Sequence, residues 1–337
     1  MWSPMRTQEA ILADVNAELP DLDWAEGARR YLDAFFERYS REQIEAFTAT
    51  KPLAAITPED PDGSLAEVVS YLNHFANTIH LLKLPRGARV LDVACGAGWV
   101  SHWLTRLGYD TTGVDISDQF VALARKRLAE DPYLAIPPDR LEAMFATVDL
   151  EREALPARLE GAFDAAILES CLHHFVDPIA ALENIRRGLK PGGVVLIIES
   201  ENRRGRIRDD YMQVMLETQT LERPYPRDQL LEILAHAGFT AVEFFGAVNG
   251  FFAESGQAGY DLSQALARIT AEANICLCAT DEAALARIVP SRATPPAERP
   301  ATVDAGMALA MRLRDRTPAW LRPFLRPFGR LLLSLRR

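Results

Sequence analysis

The stretch that decides the fold is residues 90–98, VLDVACGAG, which runs from an apolar strand into a turn with two glycines. The next residues place Val100, Leu104 and Leu107 on one face of a helix that Gly108 ends. Glycines are needed in such a turn when a ligand must touch the backbone, because a Cβ atom would block the approach. The start of the helix also offers unpaired backbone N–H groups. This order of strand, turn and helix predicts a nucleotide-like binding site.

The pattern of alternating strands and helices continues from the glycine turn toward the C-terminus. Six later apolar runs predict further strands: residues 111–116, 141–148, 163–168, 194–198, 239–245 and 274–279. Amphipathic runs between them predict helices, and Ser117 is well placed to cap one of these. Strands that alternate with helices at this spacing predict a parallel, doubly wound α/β sheet.

Three aspartates fall close to the ends of three successive predicted strands: Asp92, Asp115 and Asp149. One such Asp is usually a helix cap or a turn residue, but three at the ends of parallel strands converge on one crevice. Asp92 would repel a pyrophosphate, yet it suits an ammonium group. Asp115 can accept the hydroxyls of a ribose, and Asp149 can accept from an adenine amino group. Because Ser101 also breaks the GxGxxG pattern of NAD sites, these residues favour S-adenosylmethionine (SAM).

The chain resembles the class I SAM-dependent methyltransferases, specifically the small-molecule branch called type 11. Seven segments carry the resemblance in the expected order: residues 90–98, 113–117 (GVDIS), 148–150 (VDL), 163–166 (FDAA), 172–175 (LHHF), 189–193 (LKPGG) and 237–239 (AGF). They span roughly residues 84–279, well over half the chain. The sequence departs from the family at Ala94, where the family usually has Gly.

The resemblance implies a Rossmann-like, doubly wound sheet of seven strands, mostly parallel with one antiparallel strand. Together with the pattern along the chain it predicts four regions: an N-terminal helical lid at 1–84, a SAM-binding core at 85–200, a substrate-side insertion with the last strands at 201–285, and a Pro-rich linker with a basic amphipathic tail at 286–337. We therefore expect a cofactor crevice in the second region and acceptor contacts from the first and third.

The family's cofactor contacts map onto residues of this sequence by the resemblance. The expected cofactor-binding residues are Asp92, Ala94, Gly96, Gly98, Asp115, Ile116, Asp149, Leu150 and Glu169. Asp92 and Gly96 would approach the methionine part of SAM, and Asp115 would approach the ribose. Asp149 and Leu150 would approach the adenine.

The expected catalytic residues are His174 and His173, just past the fourth strand and beside the expected methyl group. A neutral His can remove a proton from the acceptor near pH 7. The alternative is that one His caps the following helix or packs under the cofactor. Some quinone O-methyltransferases of this family hold a metal on two Glu and a His in this segment. Because Leu172 stands where the second Glu would be, after Glu169, no metal is expected.

The composition excludes some classes of partner. The formal net charge is −10, which disfavours binding to nucleic acid phosphates. The segment after the fourth strand also lacks the Asn/Asp-Pro-Pro-aromatic signature of DNA amine methyltransferases. The cysteines form no zinc motif, and the chain shows neither a secretory signal nor an apolar run of about 20 residues. We therefore expect a cytoplasmic protein with reduced thiols.

Two basic segments give hypotheses about the acceptor. Residues 312–337 contain eight Arg and one Asp, interleaved with aromatic and Leu side chains, which fits an interfacial segment on an anionic membrane at the inner face. A segment docking onto the protein's own acidic body is the alternative. The cluster Arg203, Arg204, Arg206 and Arg208 could meet an anionic substrate or form a solvated loop.

The leading functional hypothesis is a SAM-dependent methyltransferase that acts on oxygen of a small molecule or glycan. Transfer to nitrogen of a small amine is the nearest alternative. A second alternative is a SAM-binding partner protein without catalysis in a glycan-assembly complex. An NAD-dependent enzyme is disfavoured by Asp92 and Ser101.

Overall fold

The computed structural model describes residues 6–36, 40–43, 51–52, 61–200, 207, 209–246 and 273–289. The chain divides into two compact units, Met1–Ile288 and Val289–Arg337, and the described residues other than Val289 belong to the first. The basic tail at 312–337 and the cluster Arg203, Arg204, Arg206 and Arg208 lie outside the described residues.

The described residues form one sheet, covered by helices. The strands are β1 Arg89–Val93, β2 Asp110–Asp115, β3 Phe145–Thr147, β4 Phe163–Glu169, β5 Leu189–Ser200, β6 Ala241–Phe245 and β7 Ala273–Ala279. The α-helices are α1 Gln8–Val15, α2 Trp24–Arg29, α3 Tyr31–Phe36, α4 Pro61–Leu82, α5 Trp99–Arg106, α6 Asp118–Ala129, α7 Pro138–Ala143, α8 Pro178–Gly188, α9 Asp209–Thr218, α10 Arg227–His236 and α11 Glu282–Ile288. Among these helices, none combines the length and apolarity that crossing a membrane requires.

The sheet has seven strands in the order β3-β2-β1-β4-β5-β7-β6. β1 pairs in parallel with β2 and with β4, while β2 pairs in parallel with β3 and β4 with β5. β7 is antiparallel to both of its neighbours, β5 and β6. The predicted sheet, mostly parallel with one antiparallel strand, is therefore confirmed.

The core lies on both faces of the central strands. Ala166 on β4 and Val195 and Ile197 on β5 have no measurable exposure, as expected for a parallel sheet with helices on each side. Ile11 and Val15 of α1 belong to the same apolar cluster as these strands. The first helix of the region predicted as a lid therefore packs into the core, while the division of the chain into four regions stays a prediction.

The third strand is shorter than its apolar pattern predicts. The sequence predicts a strand over residues 141–148, but the structure forms helix α7 first and leaves only Phe145–Thr147 in the sheet. Pro138 occupies the first helical position, where its fixed φ favours a helix and its missing N–H costs nothing. Helix α7 therefore includes residues 141–143, which the sequence pattern assigns to the third strand.

Candidate functional site

Strand β1 is the switch point of the sheet, since β2 lies on one side of it and β4 on the other. The carboxyl ends of β1, β2, β4 and β5 therefore share one edge, where Asp92, Asp115, Glu169 and Glu199 lie. Ligands of α/β sheets bind in the crevice outside these ends. Asp92 is 2% exposed, Asp115 8% and Glu199 3%. So much buried carboxylate makes the crevice suited to a cationic ligand.

The turn after β1 contains two glycines that are needed for different physical reasons. Gly98, with φ +72°, would place a Cβ 2.8 Å from the Cβ of Ala124 on α6, so a side chain there cannot fit. Gly96, with φ +52°, would place its Cβ in open space with nothing within 4 Å. Gly98 is thus required for packing, whereas Gly96 keeps open a space that a ligand can fill. Ala94 also has a left-handed φ, +47°, which favours the Gly usual in the family.

Asp115 fixes the turn from the end of β2. Its Oδ2 accepts from the Gly96 N–H at 2.8 Å, and its Oδ1 accepts from the Ser117 N–H at 2.9 Å. Burial raises the pKa of Asp115 to about 6, although these backbone donors favour the charged form. Ile116 follows, half-buried. The carboxylate lies at the strand end where a ribose is expected, and each oxygen can accept a further hydrogen bond.

Asp92 points to the start of helix α5. Its Oδ2 accepts from the backbone N–H of Ser101 at 2.9 Å and from the Ser101 hydroxyl at 2.7 Å. Burial raises the pKa of Asp92 to about 7, and the charges of Asp115 and Glu169 add to this. Ser101, which the sequence offered only as a departure from the NAD pattern, is thus the partner of Asp92. Contact of Asp92 with the methionine part of SAM stays a prediction.

Asp149 lies beyond the end of β3, next to the buried Leu150, as expected. Its Oδ2 accepts from the Arg29 guanidinium at 2.7 Å, and its Oδ1 accepts from the Glu151 N–H at 3.1 Å. Arg29 is the last residue of α2, so the N-terminal helices reach the side of the crevice where the adenine is expected. An adenine amino group would share Asp149 with this arginine, and that contact stays a prediction.

Glu169 ends β4 and pairs with a residue that the sequence did not single out. His74 on α4 contacts the Glu169 Oε1 with its Nδ1 at 3.1 Å. Burial raises the pKa of Glu169, and His74 partly offsets this. The signal for His74 is weak, because it lies in an apolar helical stripe beside Phe75. The pair ties α4 to the crevice, while the contact of Glu169 with the cofactor stays a prediction.

Two histidines and two glutamates form a cluster where β4 and β5 end. The short 3-10 helix after β4 places the rings of His173 and His174 4.1 Å apart. His173 Nδ1 donates to Glu199 Oε2 at 2.6 Å, and His173 Nε2 lies 3.3 Å from Glu222 Oε2. His174 Nδ1 donates to the carbonyl oxygen of Leu221. The two predicted catalytic residues therefore lie together, each held by its Nδ1.

The two histidines differ in charge, because His173 is a cation at neutral pH and His174 is uncharged. Burial alone would lower the pKa of His173, but Glu199 and Glu222 outweigh it and raise the pKa to about 10. Burial, followed by the charge of His173, lowers the pKa of His174 to about 4. His174 is therefore neutral, and because its Nδ1 carries the proton, its lone pair is on Nε2.

Sequence reasoning missed both glutamates of this cluster as site residues. Glu199 follows the predicted fifth strand directly, in the same strand-end position as Asp115, so the strand-end rule could have found it. Glu222 lies between α9 and α10 and carries no local signal, because only the fold brings it to His173.

These observations fit SAM as the cofactor. The buried carboxylates suit its positive charges, and the open space at Gly96 allows its close approach to the backbone. Asp115 offers acceptor atoms for the ribose hydroxyls. The residues that would hold SAM are therefore those of the glycine turn and the acidic strand ends.

Comparison with known sequences identifies the family. The methyltransferase domain family matches residues 68–243, more than half of the chain. A relative from Talaromyces variabilis, an S-adenosyl-L-methionine-dependent Diels-Alderase, is 36% identical over 123 residues, which cover 36% of this chain and 39% of that protein. The ubiquinone biosynthesis O-methyltransferase of Xanthomonas campestris is 33% identical over 148 residues, covering 44% and 51%. The chain thus spans about two fifths to one half of the length of these relatives.

Solved structures give two further comparisons. The [4+2]-cyclase SpnF is 27% identical with a TM-score of 0.40, covering 53% of this chain and 60% of that one. Phosphoethanolamine N-methyltransferase 2 of Haemonchus contortus, in complex with S-adenosyl-L-methionine, is 18% identical with a TM-score of 0.48, covering 74% and 58%.

The sheet order, the glycine turn, the strand-end carboxylates and the family match agree with one another. The type 11 branch within the family stays a prediction. The chain belongs to the class I SAM-dependent methyltransferase family.

Proposed function

We propose that this chain transfers a methyl group from SAM to an oxygen atom of a small-molecule acceptor. The observation that carries the proposal is the cluster of His173, His174, Glu199 and Glu222 beside the cofactor crevice. A hydroxyl acceptor must lose a proton during transfer, and a basic cluster at the ends of β4 and β5 serves that need. The 33% identity with the ubiquinone biosynthesis O-methyltransferase of Xanthomonas campestris supports oxygen as the target.

SAM supplies, when bound, a methyl group on a positively charged sulfur. The part of this chain is then to align the acceptor, exclude water and take up a proton. We assign the proton uptake to His174, because its Nδ1 is held by Leu221 and its Nε2 has a free lone pair. His173 donates from one nitrogen to Glu199 and faces Glu222 with the other, so it positions the cluster and is not the base.

A glycan is part of the proposed acceptor class. Its support is the basic, aromatic-rich segment 312–337, which would bring the chain to an anionic membrane and so to lipid-linked glycans. Nucleic acid is not proposed as an acceptor, because the net charge of −10 opposes binding to phosphates. Location in the cytoplasm with peripheral contact at the inner membrane face belongs to the same proposal. Liposome binding that is unchanged after deletion of 312–337 would remove this part.

A second candidate is a SAM-dependent cyclisation without methyl transfer. The 36% identity with the Diels-Alderase of Talaromyces variabilis favours it. A cycloaddition rearranges bonds within the substrate and consumes no methyl group, so S-adenosylhomocysteine (SAH) would not accumulate. The non-catalytic SAM-binding partner predicts the same lack of SAH, but it also predicts no substrate turnover.

The test is incubation of the enzyme with methyl-labelled SAM and a fractionated cell extract, followed by mass spectrometry. We expect SAH and a product labelled on oxygen. In His174→Ala, turnover should fall about 100-fold to 10,000-fold with SAM affinity retained. His80→Ala is the control, because His80 is exposed on α4. A product labelled on nitrogen, or turnover of a substrate without SAH, would replace the proposal with the corresponding alternative.

A further inference from the structure

We infer that His173, His174 and Glu222 form a binding site for a divalent transition-metal ion. One ligand atom from each residue can be chosen so that all of these atoms lie within 4.8 Å of one another. The two histidines come from the 3-10 helix after β4, and Glu222 comes from the connection between α9 and α10. Three separate side chains are thus brought to one point by the fold.

The outer partners of the histidines are those that a metal site needs. A histidine that binds a metal through one ring nitrogen usually donates its other N–H to a carboxylate or a backbone carbonyl. His173 donates from Nδ1 to Glu199 at 2.6 Å, and His174 donates from Nδ1 to the Leu221 carbonyl. Both Nε2 atoms are thereby left as the ligand atoms, and His173 Nε2 already lies 3.3 Å from the Glu222 carboxylate.

Charge and burial also favour a divalent cation. His173 is 9% exposed and Glu199 is 3% exposed, so unbalanced charge here is costly. The carboxylates of Glu199 and Glu222 carry two negative charges, of which the protonated His173 offsets one. A divalent ion that displaces the proton from His173 Nε2 would balance both charges, with the two imidazoles as neutral ligands. Glu199 also accepts from the backbone N–H groups of Cys171 and Leu172, so the carboxylate that orients His173 is itself held in place.

The donor set indicates the kind of ion. Two imidazole nitrogens and one carboxylate oxygen suit zinc, manganese or iron rather than calcium or magnesium. Three protein ligands leave at least one coordination position open, which is typical of catalytic and not of structural zinc sites. An acceptor hydroxyl can take that position.

The chemical role rests on the proposed function, although the site itself does not. An acceptor hydroxyl that coordinates the ion loses its proton to water. Its oxygen then forms the new C–O bond as the C–S bond of SAM breaks, and that electron pair stays on sulfur. With the ion bound, His174 is a ligand and water takes the proton, so the proton uptake by His174 proposed above applies to the chain without the ion. The acceptor class narrows to molecules whose reacting oxygen can bind a metal.

The proposed site differs from the metal site of the quinone O-methyltransferases. Leu172 removes the second glutamate expected near Glu169 in metal-binding relatives, and no metal was therefore expected. The structure supplies a different carboxylate, Glu222, from 50 positions after Leu172.

The test is calorimetric titration of the chelator-treated full chain with Zn²⁺, without SAM or acceptor. We expect one ion per chain and at least a tenfold loss of affinity in both His174→Ala and Glu222→Gln. His80→Ala should bind as the unaltered chain does, and circular dichroism and melting curves check that each variant is folded. No binding of Zn²⁺, or the same affinity in folded His174→Ala and Glu222→Gln, overturns the site.

X-ray absorption of the zinc-loaded unaltered chain keeps the test decisive if the variants do not fold. We expect two imidazole nitrogens and oxygen around zinc, while sulfur scattering would point to the cysteines and overturn the site. Methyl transfer without zinc binding would refute the metal alone. Zinc binding without methyl transfer on any extract would refute the proposed function alone.

Discussion

Replacement of Asp115 by Asn tests the cofactor crevice most sharply among single substitutions. The carboxylate accepts from the Gly96 N–H at 2.8 Å and from the Ser117 N–H at 2.9 Å, and we expect it to accept from the ribose as well. An Asn keeps one acceptor oxygen but turns an NH₂ group toward one of these donors. Leaving a buried N–H without an acceptor costs about 1–3 kcal/mol of stability.

The loss of SAM affinity follows from the same geometry. Hydrogen bonds to a charged group contribute about 1.5–3 kcal/mol each, and about 1.4 kcal/mol is a factor of ten in affinity. We therefore expect Asp115→Asn to bind SAM and SAH about 10-fold to 100-fold more weakly in calorimetric titrations. Asp110→Asn is the matched control, because Asp110 lies at the other end of β2 and pairs with Arg140 at 2.7 Å. Affinity within threefold of the unaltered chain in folded Asp115→Asn would refute the reasoning.

Three further predictions concern the surroundings of the crevice. Gly98→Ala should lower the free energy of unfolding by about 2–4 kcal/mol in denaturant titrations, because its Cβ would overlap α6 at a left-handed φ. Gly96→Ala should lower it by only about 1 kcal/mol but should weaken SAM binding. Equal losses of stability in the two variants would contradict this. Burial raises the pKa of Asp92 from 3.8 to about 7, so between these pH values the folded chain holds a proton that the unfolded chain has released. The free energy of unfolding should therefore fall by up to about 4 kcal/mol as the pH rises from about 4 to 7. Asp92→Asn should remove this pH dependence, and an unchanged pH dependence would count against the assignment. Arg29→Met removes the 2.7 Å ion pair with Asp149, so chymotrypsin should cleave the N-terminal helices faster. An unchanged rate of cleavage would show that the ion pair does not hold these helices against the rest of the chain.

The parts of the fold that local pattern controls could be predicted from the sequence. The predicted N-cap Ser117 accepts from the backbone N–H of Phe120 at 3.4 Å, and Gly238 follows helix α10 with φ +88°. Both features depend on neighbours within a few positions, so composition and spacing suffice to indicate them. The strand-end aspartates were placed for the same reason, because a parallel sheet brings its strand ends together.

The partners of those residues could not be predicted, because they come from distant parts of the chain. Arg29 reaches Asp149 across 120 positions, and His74 reaches Glu169 across 95. Glu222 meets His173 only once α9 and α10 are packed, and nothing in its own neighbourhood indicates a site. The predicted third strand is too long, because the apolar pattern does not reveal the helix that begins at Pro138.

The most direct test of the central claim is calorimetric titration of the full chain with SAM, and separately with NAD, under the same conditions. The account predicts that one SAM binds per chain and that NAD does not bind, because the buried Asp92 carboxylate beside the glycine turn suits an ammonium group and repels a pyrophosphate. Binding of NAD together with no binding of SAM would contradict the assignment of this crevice.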